Sequence, residues 1–348
     1  MNAVEYLYYL GYLVDKHLGL KKQKRLPARV ISAGNITVGG TGKTPATIAL
    51  AKEARRRGYL PVILTRGYGG RAKGPCFVDR MAWEEYGDEP VLISEKLSDV
   101  PVVKGSDRYA AGMFALRNLA SRVSSHNPDI LFILDDGFQH YQLFRDRDIL
   151  LIDGTNPFGN HKLLPFGPLR EPLDAMARAD IIVIKKSGIS AVNPSLSIKR
   201  EEADFHNEKM RSLVTEIRGY HPSSPVFFAE HRPSGFARIQ GSGFPLEWAK
   251  GKRFFGFCGI GNPQSFMETL STLGMELKGF REFRDHYRYR QADINAIFQD
   301  AEKCEAGWIV TTEKDIIKLA VLKIPANLVA LAVEFIPDEA LFEQVFNF

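Results

Sequence analysis

From residue 27 onward the chain alternates short apolar runs with stretches whose apolar residues recur at helical spacing. Strands are expected at Arg29–Ala33, Pro61–Leu64, Ile130–Leu134, Asp148–Ile152 and Asp180–Ile184. Several of these are Val/Ile/Leu throughout rather than alternating, which is the pattern of strands buried on both faces, so an α/β fold with a parallel sheet covered by helices is predicted. Lys43 to Arg57 reads as a helix closed by Gly58. The stretch from Lys185 to Arg200 turns polar and contains Pro and Ser, marking a linker. Further strands are expected at Val226–Ala229, Arg253–Phe257, Trp308–Thr311 and Leu328–Val333, in a second, smaller α/β domain. The expected division is residues 1–26 as a separate N-terminal helix, 27–186 and 187–335 as two domains, and 336–348 as a C-terminal helix returning to the first domain.

The N-terminal segment is rich in Leu and Tyr, but its longest uncharged stretch, Tyr6 to Val14, would span only about 14 Å as a helix. The hydrocarbon of a bilayer is roughly 30 Å thick, so the segment is too short to cross it. Glu5 near the start and Lys21, Lys22, Lys24 and Arg25 after it are unlike a secretion signal. Leu7, Leu10, Leu13, Val14 and Leu20, tyrosines at 6, 8, 9 and 12, and the basic tail suit a helix lying in a lipid interface. A helix packed on its own domain or on a second subunit has the same pattern.

Composition narrows the class. At 348 residues, 45% apolar and 25% charged, the chain is an ordinary globular protein with room for two cores. A formal charge of +5 is too mild to indicate a nucleic-acid partner. Cys76, Cys258 and Cys304 are far apart, which argues against a disulfide framework or zinc site and fits a reducing cytoplasm.

The strongest chemical signal is Gly39-Gly40-Thr41-Gly42-Lys43-Thr44, placed between a strand and a helix. In that context glycines let backbone N–H groups close around phosphates, Lys43 reaches the β/γ oxygens and Thr44 can ligate Mg²⁺. The nucleotide-binding run is therefore Thr37, Val38, Gly39, Gly40, Thr41, Gly42, Lys43 and Thr44, with Thr37 standing where a glycine is usual. The fold class becomes P-loop NTPase-like. Asp135 and Asp136 follow an apolar strand, where a second Mg²⁺ anchor belongs, although two aspartates before Gly137 also suit a plain turn. Asp88, in Gly87-Asp88-Glu89-Pro90, reads by itself as a helix N-cap, and His286 as a solvated histidine. The loop Leu164–Pro172 is stiff, and could hold Arg170 and Glu171 at a phosphate or serve as a rigid connector.

Taken in order, SAGNITVGGTGKTP at 32–45, TRGYGG at 65–70, GDEP at 87–90, SDRYAAG at 106–112, DDGFQH at 135–140, LLPFGPLREP at 163–172, DHY at 285–287 and TTEKD at 311–315 resemble the tetraacyldisaccharide 4′-kinase family. The resemblance runs to about Asp315, with nothing recognisable between about 187 and 250. It implies that ATP with Mg²⁺ phosphorylates the 4′-hydroxyl of an acylated glucosamine disaccharide 1-phosphate to give lipid IVA, at the cytoplasmic face of the inner membrane. It also implies that Asp88 is the base with His286 as partner, that Lys43 and Arg170 offset phosphoryl charge, and that Thr44, Asp135, Asp136 and Glu171 lie on the Mg²⁺ side. Two other classes compete. Partitioning-type ATPases share the GGTGKT character but carry a lysine where this chain has Val38, and a soluble sugar or nucleoside kinase would have no use for the N-terminal helix.

Overall fold

The computed structural model describes residues 2–119, 129–186, 200–239 and 241–348. Its strands are β1 (Arg29–Gly34), β2 (Leu60–Thr65), β3 (Cys76–Phe77), β4 (Val102–Lys104), β5 (Ile130–Asp135), β6 (Arg147–Asp153), β7 (Ile181–Lys186), β8 (Val226–Ala237), β9 (Arg253–Cys258), β10 (Glu276–Glu282), β11 (Trp308–Thr312) and β12 (Leu328–Pro337). The helices are α1 (Ala3–Lys21), α2 (Lys43–Arg56), α3 (Trp83–Tyr86), α4 (Asp88–Lys96), α5 (Arg108–Leu119), α6 (Arg200–Tyr220), α7 (Pro263–Ser271), α8 (Gln291–Lys303), α9 (Glu313–Leu319) and α10 (Glu339–Phe346).

Among the described residues all strands belong to one twelve-stranded sheet, ordered β10-β9-β11-β12-β8-β7-β6-β1-β5-β2-β4-β3. β1 lies between β5 and β6; the chain first builds the β2, β3 and β4 side, returns as β5 beside β1, and then crosses to run outward through β6, β7 and β8. Such a switch point leaves a crevice at the carboxyl ends of the strands, where ligands of open α/β sheets bind. The apolar strands are buried on both faces as expected. Ile31, Ile63, Ile133 and Leu151 pack with α2, α4 and α10, while Val30, Val62, Leu64 and Phe132 face α5 on the other side. From α10, Leu341, Val345 and Phe346 enter the same core as Leu50 and Ala54 of α2.

The sheet is not wholly parallel: β3 runs antiparallel to β4, and β8 antiparallel to β12. Strands β3, β4 and β10 and helices α3, α5, α6, α7, α8 and α9 were not individually foreseen. β3 and β4 are only two and three residues long. β10 is an edge strand with exposed charged residues at both ends, so it lacks the apolar run of a central strand. α6 lies in a polar stretch, yet Met210, Leu213 and Ile217 recur at helical spacing and pack on Ile152 and Ile184. Of the expected linker, Lys185 and Lys186 end β7 and Arg200 opens α6; residues 187–199 lie outside the described residues.

α1 begins with a capping box between Asn2 and Glu5. One face is docked on the protein. Glu5 accepts the Leu163 N–H (2.9 Å), the Tyr8 hydroxyl donates to the Arg170 carbonyl (2.9 Å), and Gly19 packs against Tyr141. The other face leaves Val4, Leu7, Leu10, Leu13, Val14, Leu18 and Leu20 in solvent, with Leu7 66% exposed. In the basic tail, Arg25 is paired to Asp146 (2.6 Å) and Lys24 lies 4.9 Å from the Tyr109 ring, whereas Lys21 and Lys22 are exposed. No described helix is long and apolar enough to cross a membrane.

Candidate active site

The loop after β1 leads directly into α2, whose N-cap Gly42 is left-handed (φ +88°). Glycine is required there twice over: any β-carbon would carry positive-φ strain and would stand 2.3 Å from the His231 ring. Thr37 causes no strain, because it is absent from the positive-φ positions and instead bridges to Leu169. The Val38 N–H donates to the Pro168 carbonyl (2.8 Å) and the Arg170 N–H to the Ile36 carbonyl (2.8 Å). The stiff 164–172 loop thus props the phosphate loop and delivers Arg170 beside it.

Lys43 Nζ donates to Asn35 Oδ1 (3.3 Å) and lies 3.8 Å from Asp136 Oδ1. Arg170 Nη1 contacts both Asp136 oxygens at 3.1 Å. Burial acts to raise the Asp136 pKa, but Lys43 and Arg170 outweigh it and hold the group below the usual carboxylate range. Its neighbour Asp135 behaves oppositely. Fully buried, and facing the negative fields of Glu89 and Asp136, it is pushed well above that range. It accepts only the Thr47 and Thr65 hydroxyls (3.1 and 3.2 Å) and has no ion-pair partner within 4.0 Å among the described residues. A buried carboxylate in that condition is stabilised by a nearby cation, so the donor set of Asp135, Asp136 and the Thr44 hydroxyl fits Mg²⁺, which typically takes one or two carboxylates plus phosphate oxygens.

Glu171, the remaining Mg²⁺-side expectation, is engaged by protein groups in this structure. Both of its oxygens are occupied by the Arg178 guanidinium (2.6 Å each), Oε1 also by Gln139 Nε2 (2.6 Å) and Oε2 by the Tyr141 hydroxyl (2.7 Å), and the side chain is completely buried. Arg178 in turn stacks on Phe138 at 3.7 Å. In this arrangement the Glu171 lone pairs brace the 135–141 and 170–178 segments against each other.

Across the crevice, Asp88 opens α4 behind the N-cap Gly87, whose φ of +98° turns the chain into the helix. Asp88 is thus the first helical residue and not the cap. Its Oδ2 receives His286 Nδ1 at 3.1 Å, joining the two sequence-predicted partners over 198 residues. Burial works to raise the Asp88 pKa, but the His286 hydrogen bond, Lys314 and Lys318 bring it below the ordinary range. The same hydrogen bond raises His286, against burial and Lys314. Tyr68 lies over His286, ring centroids 5.2 Å apart, and Arg288 donates to the Gly69 carbonyl (3.0 Å). Gly261 closes the crevice near the phosphate loop; a methyl group there would stand 3.4 Å from Gly39 Cα.

One cavity of about 1200 Å³ connects these parts. Its walls include Val38 to Thr44, Asp135, Asp136, Arg170 and His286, and it extends to Tyr8, Tyr12 and Asp15 of α1. Asp88, only 5% exposed, sits one layer back, behind Glu89 and His286.

Several cavity residues escaped sequence reasoning. Arg108, buried and donating to the Gly105 and Ser106 carbonyls (2.9 and 3.0 Å), lies within the quoted SDRYAAG. Lys314, within TTEKD, contacts Glu89 (3.1 Å), Asp285 (3.4 Å) and His286 Nε2 (3.2 Å). Burial lowers its pKa, yet Glu89, Asp88 and Asp285 together raise it above the ordinary lysine value. The available signal was a lysine at 314 and another at 318, flanked by Ile317 and Leu319, one helical turn apart.

A phosphate loop at the switch point of the sheet, cationic side chains converging on it, and a carboxylate–imidazole pair across one cavity define a P-loop phosphotransferase. The sequence model for tetraacyldisaccharide-1-P 4′-kinase matches residues 3–347, and the chain belongs to that family. It is 41% identical to the tetraacyldisaccharide 4′-kinase of Syntrophus aciditrophicus over 337 residues, covering 94% of this chain and 85% of that one. The counterpart from Syntrophobacter fumaroxidans is 37% identical over 344 residues, 97% of this chain and 84% of the other. A crystal structure of LpxK from Aquifex aeolicus in complex with ATP superposes with a TM-score of 0.71 at 30% identity, covering 99% of this chain and 96% of its own. The enzyme is a 4′-kinase of lipid A biosynthesis.

Proposed function

We propose that the chain transfers the γ-phosphoryl group of ATP to the 4′-hydroxyl of a tetraacylated glucosamine disaccharide 1-phosphate while docked on the cytoplasmic leaflet of the inner membrane. The observation that carries this reading is the Asp88–His286 pair (3.1 Å) beside the cavity that the phosphate loop also lines. Backbone N–H groups from Gly39 to Thr44 cradle phosphates at the α2 N-terminus. On nucleotide binding, Lys43 and Arg170 turn from Asp136 to the transferring group and offset its charge. Thr44, Asp135 and Asp136 would hold Mg²⁺, which supplies charge neutralisation on the phosphate oxygens. The acceptor hydroxyl meets the Asp88–His286 pair from the cavity side, and the pair takes its proton as one unit. Because phosphoryl transfer passes through a loose transition state, orienting that hydroxyl matters more than a strongly basic carboxylate.

The exposed leucines of α1 fit insertion into the lipid interface, with Lys21 and Lys22 on the headgroups. The segments 27–186 and 187–335 act as two jaws around the cavity, and 336–348 ties back to the first. The test is transfer of labelled γ-phosphate to the acylated disaccharide, in detergent micelles and in anionic vesicles. Replacing Leu7, Leu10 and Val14 by Ser should lower vesicle binding roughly tenfold or more, since each buried apolar side chain contributes on the order of 1 kcal/mol. ATP affinity should stay unchanged. Equal partitioning of variant and wild type would remove the membrane role, and absence of transfer to the disaccharide would remove the acceptor.

A further inference from the structure

Lys318 is 1% exposed, a burial that charged groups tolerate only when paired. Its Nζ lies 2.7 Å from Asp315 Oδ1 and 3.9 Å from Asp88 Oδ2. Asp315, also completely buried, is anchored to its own half by the Gly259 N–H (2.9 Å), the Tyr289 hydroxyl (3.1 Å) and the Thr312 hydroxyl (2.8 Å). Lys318 is thereby fixed to the second half and aimed at the first. It approaches the same Asp88 oxygen that His286 Nδ1 holds, while Oδ1 accepts, among the described residues, only the Glu89 N–H (3.0 Å). The helices bearing the two groups are packed together by Trp83, Val91 and Ile317, so the arrangement is built into the α4–α9 contact.

We propose that Lys318 is a positioning residue for phosphoryl transfer, fixing the charge and orientation of Asp88 from the opposite half of the molecule. This rests on the reading of Asp88 and His286 as the proton-accepting pair. The charged groups facing Asp88 are His286 and Asp285 from the 285–287 loop, Lys314, Asp315 and Lys318 from α9, and Glu89 on α4. Lys318 is the one placed against Oδ2 with no route to the cavity. A cation this close to a buried carboxylate typically favours its ionised form by 1 to 3 pH units. Without Lys318, Asp88 binds its proton more tightly, so activity is lost at a higher pH as the solution is acidified.

The experiment is the pH profile of kcat for full-length Lys318→Met on the acylated disaccharide. The acid limb should move up by about 1 unit or more, while the plateau at higher pH stays within a few-fold of wild type. An unmoved limb, or a loss equal at every pH, would overturn the proposal, because a purely structural lysine depresses all points alike. If Lys318→Met fails to fold, Lys318→Met with Asp315→Asn removes both charges of the pair, and its limb should move in the same direction. Asp88→Asn separates the two readings: retained turnover there defeats the base assignment, whereas loss there with an unmoved limb in the Lys318 variants defeats this inference alone.

Discussion

The nucleotide side and the acceptor side of the cavity are built by different means. The phosphate loop is shaped mainly by segments between residues 35 and 178 through backbone geometry: strand ends, a left-handed glycine and two main-chain hydrogen bonds from the 164–172 loop, with His231 and Gly261 of the second half packed close to it. The acceptor side joins residues almost two hundred positions apart, and it is held by charge: His286, Lys314 and Lys318 against Asp88 and Glu89. Backbone geometry persists through changes of pH and salt, whereas a set of buried charges depends on each partner being present and ionised. The nucleotide side should therefore keep its shape when a neighbour is lost, whereas Asp88 and His286 should fail as a unit.

The largest effect tests the first half of that contrast. Lys43→Ala should reduce phosphoryl transfer on the order of 10³-fold with an unchanged melting temperature, because the lysine acts on transition-state charge while the loop is shaped by its backbone. Turnover near wild type would refute the phosphate-loop assignment; a large fall in Tm would show that the loop depends on the side chain.

Next, Asp88→Ala and His286→Ala should each lower kcat by roughly 10²-fold, and the double variant should lose clearly less than the product. Multiplicative losses in steady-state kinetics would mean that the two act independently, and the unit behaviour claimed for this side would fall.

A smaller effect sharpens the boundary between support and chemistry. Glu171→Gln should cost about 2 kcal/mol of stability, seen by denaturant titration, since one charged partner of Arg178 is lost. The Mg²⁺ concentration giving half-maximal activity should stay put. A marked rise in that concentration at unchanged stability would return Glu171 to the metal.

The same division explains what could be read in advance. The central strands, the α2 helix and the phosphate loop were legible because each is a contiguous pattern: an apolar run, a helical period, a glycine spacing. The Asp88–His286 pair was named only through resemblance, since nothing local distinguishes Asp88 from a helix cap. The Glu171–Arg178 pairing was not legible, because only the fold brings the two carboxylate oxygens against that guanidinium together with Gln139 and Tyr141. Lys318 sits in an ordinary-looking amphipathic turn, and its meaning comes from a helix that precedes it by more than two hundred residues. Edge strand β10 and helix α6 lie where polar composition hid a periodic signal.

The unbroken sheet has a mechanical consequence. The two halves are joined by a ladder in which β8 pairs with β7 on one side and β12 on the other. A change in the angle between the halves would therefore have to flex this sheet, as a leaf spring flexes, and could not pivot about a single free joint. The regular pairing is interrupted at one place in this ladder, the register shift between Ala332 and Val333 opposite Gly235 and Pro233, the kind of irregularity that locally increases strand twist. Because β9, β11, β12, β8 and β7 form one continuous sheet, the place of His286 over Asp88 is tied to the geometry of that sheet.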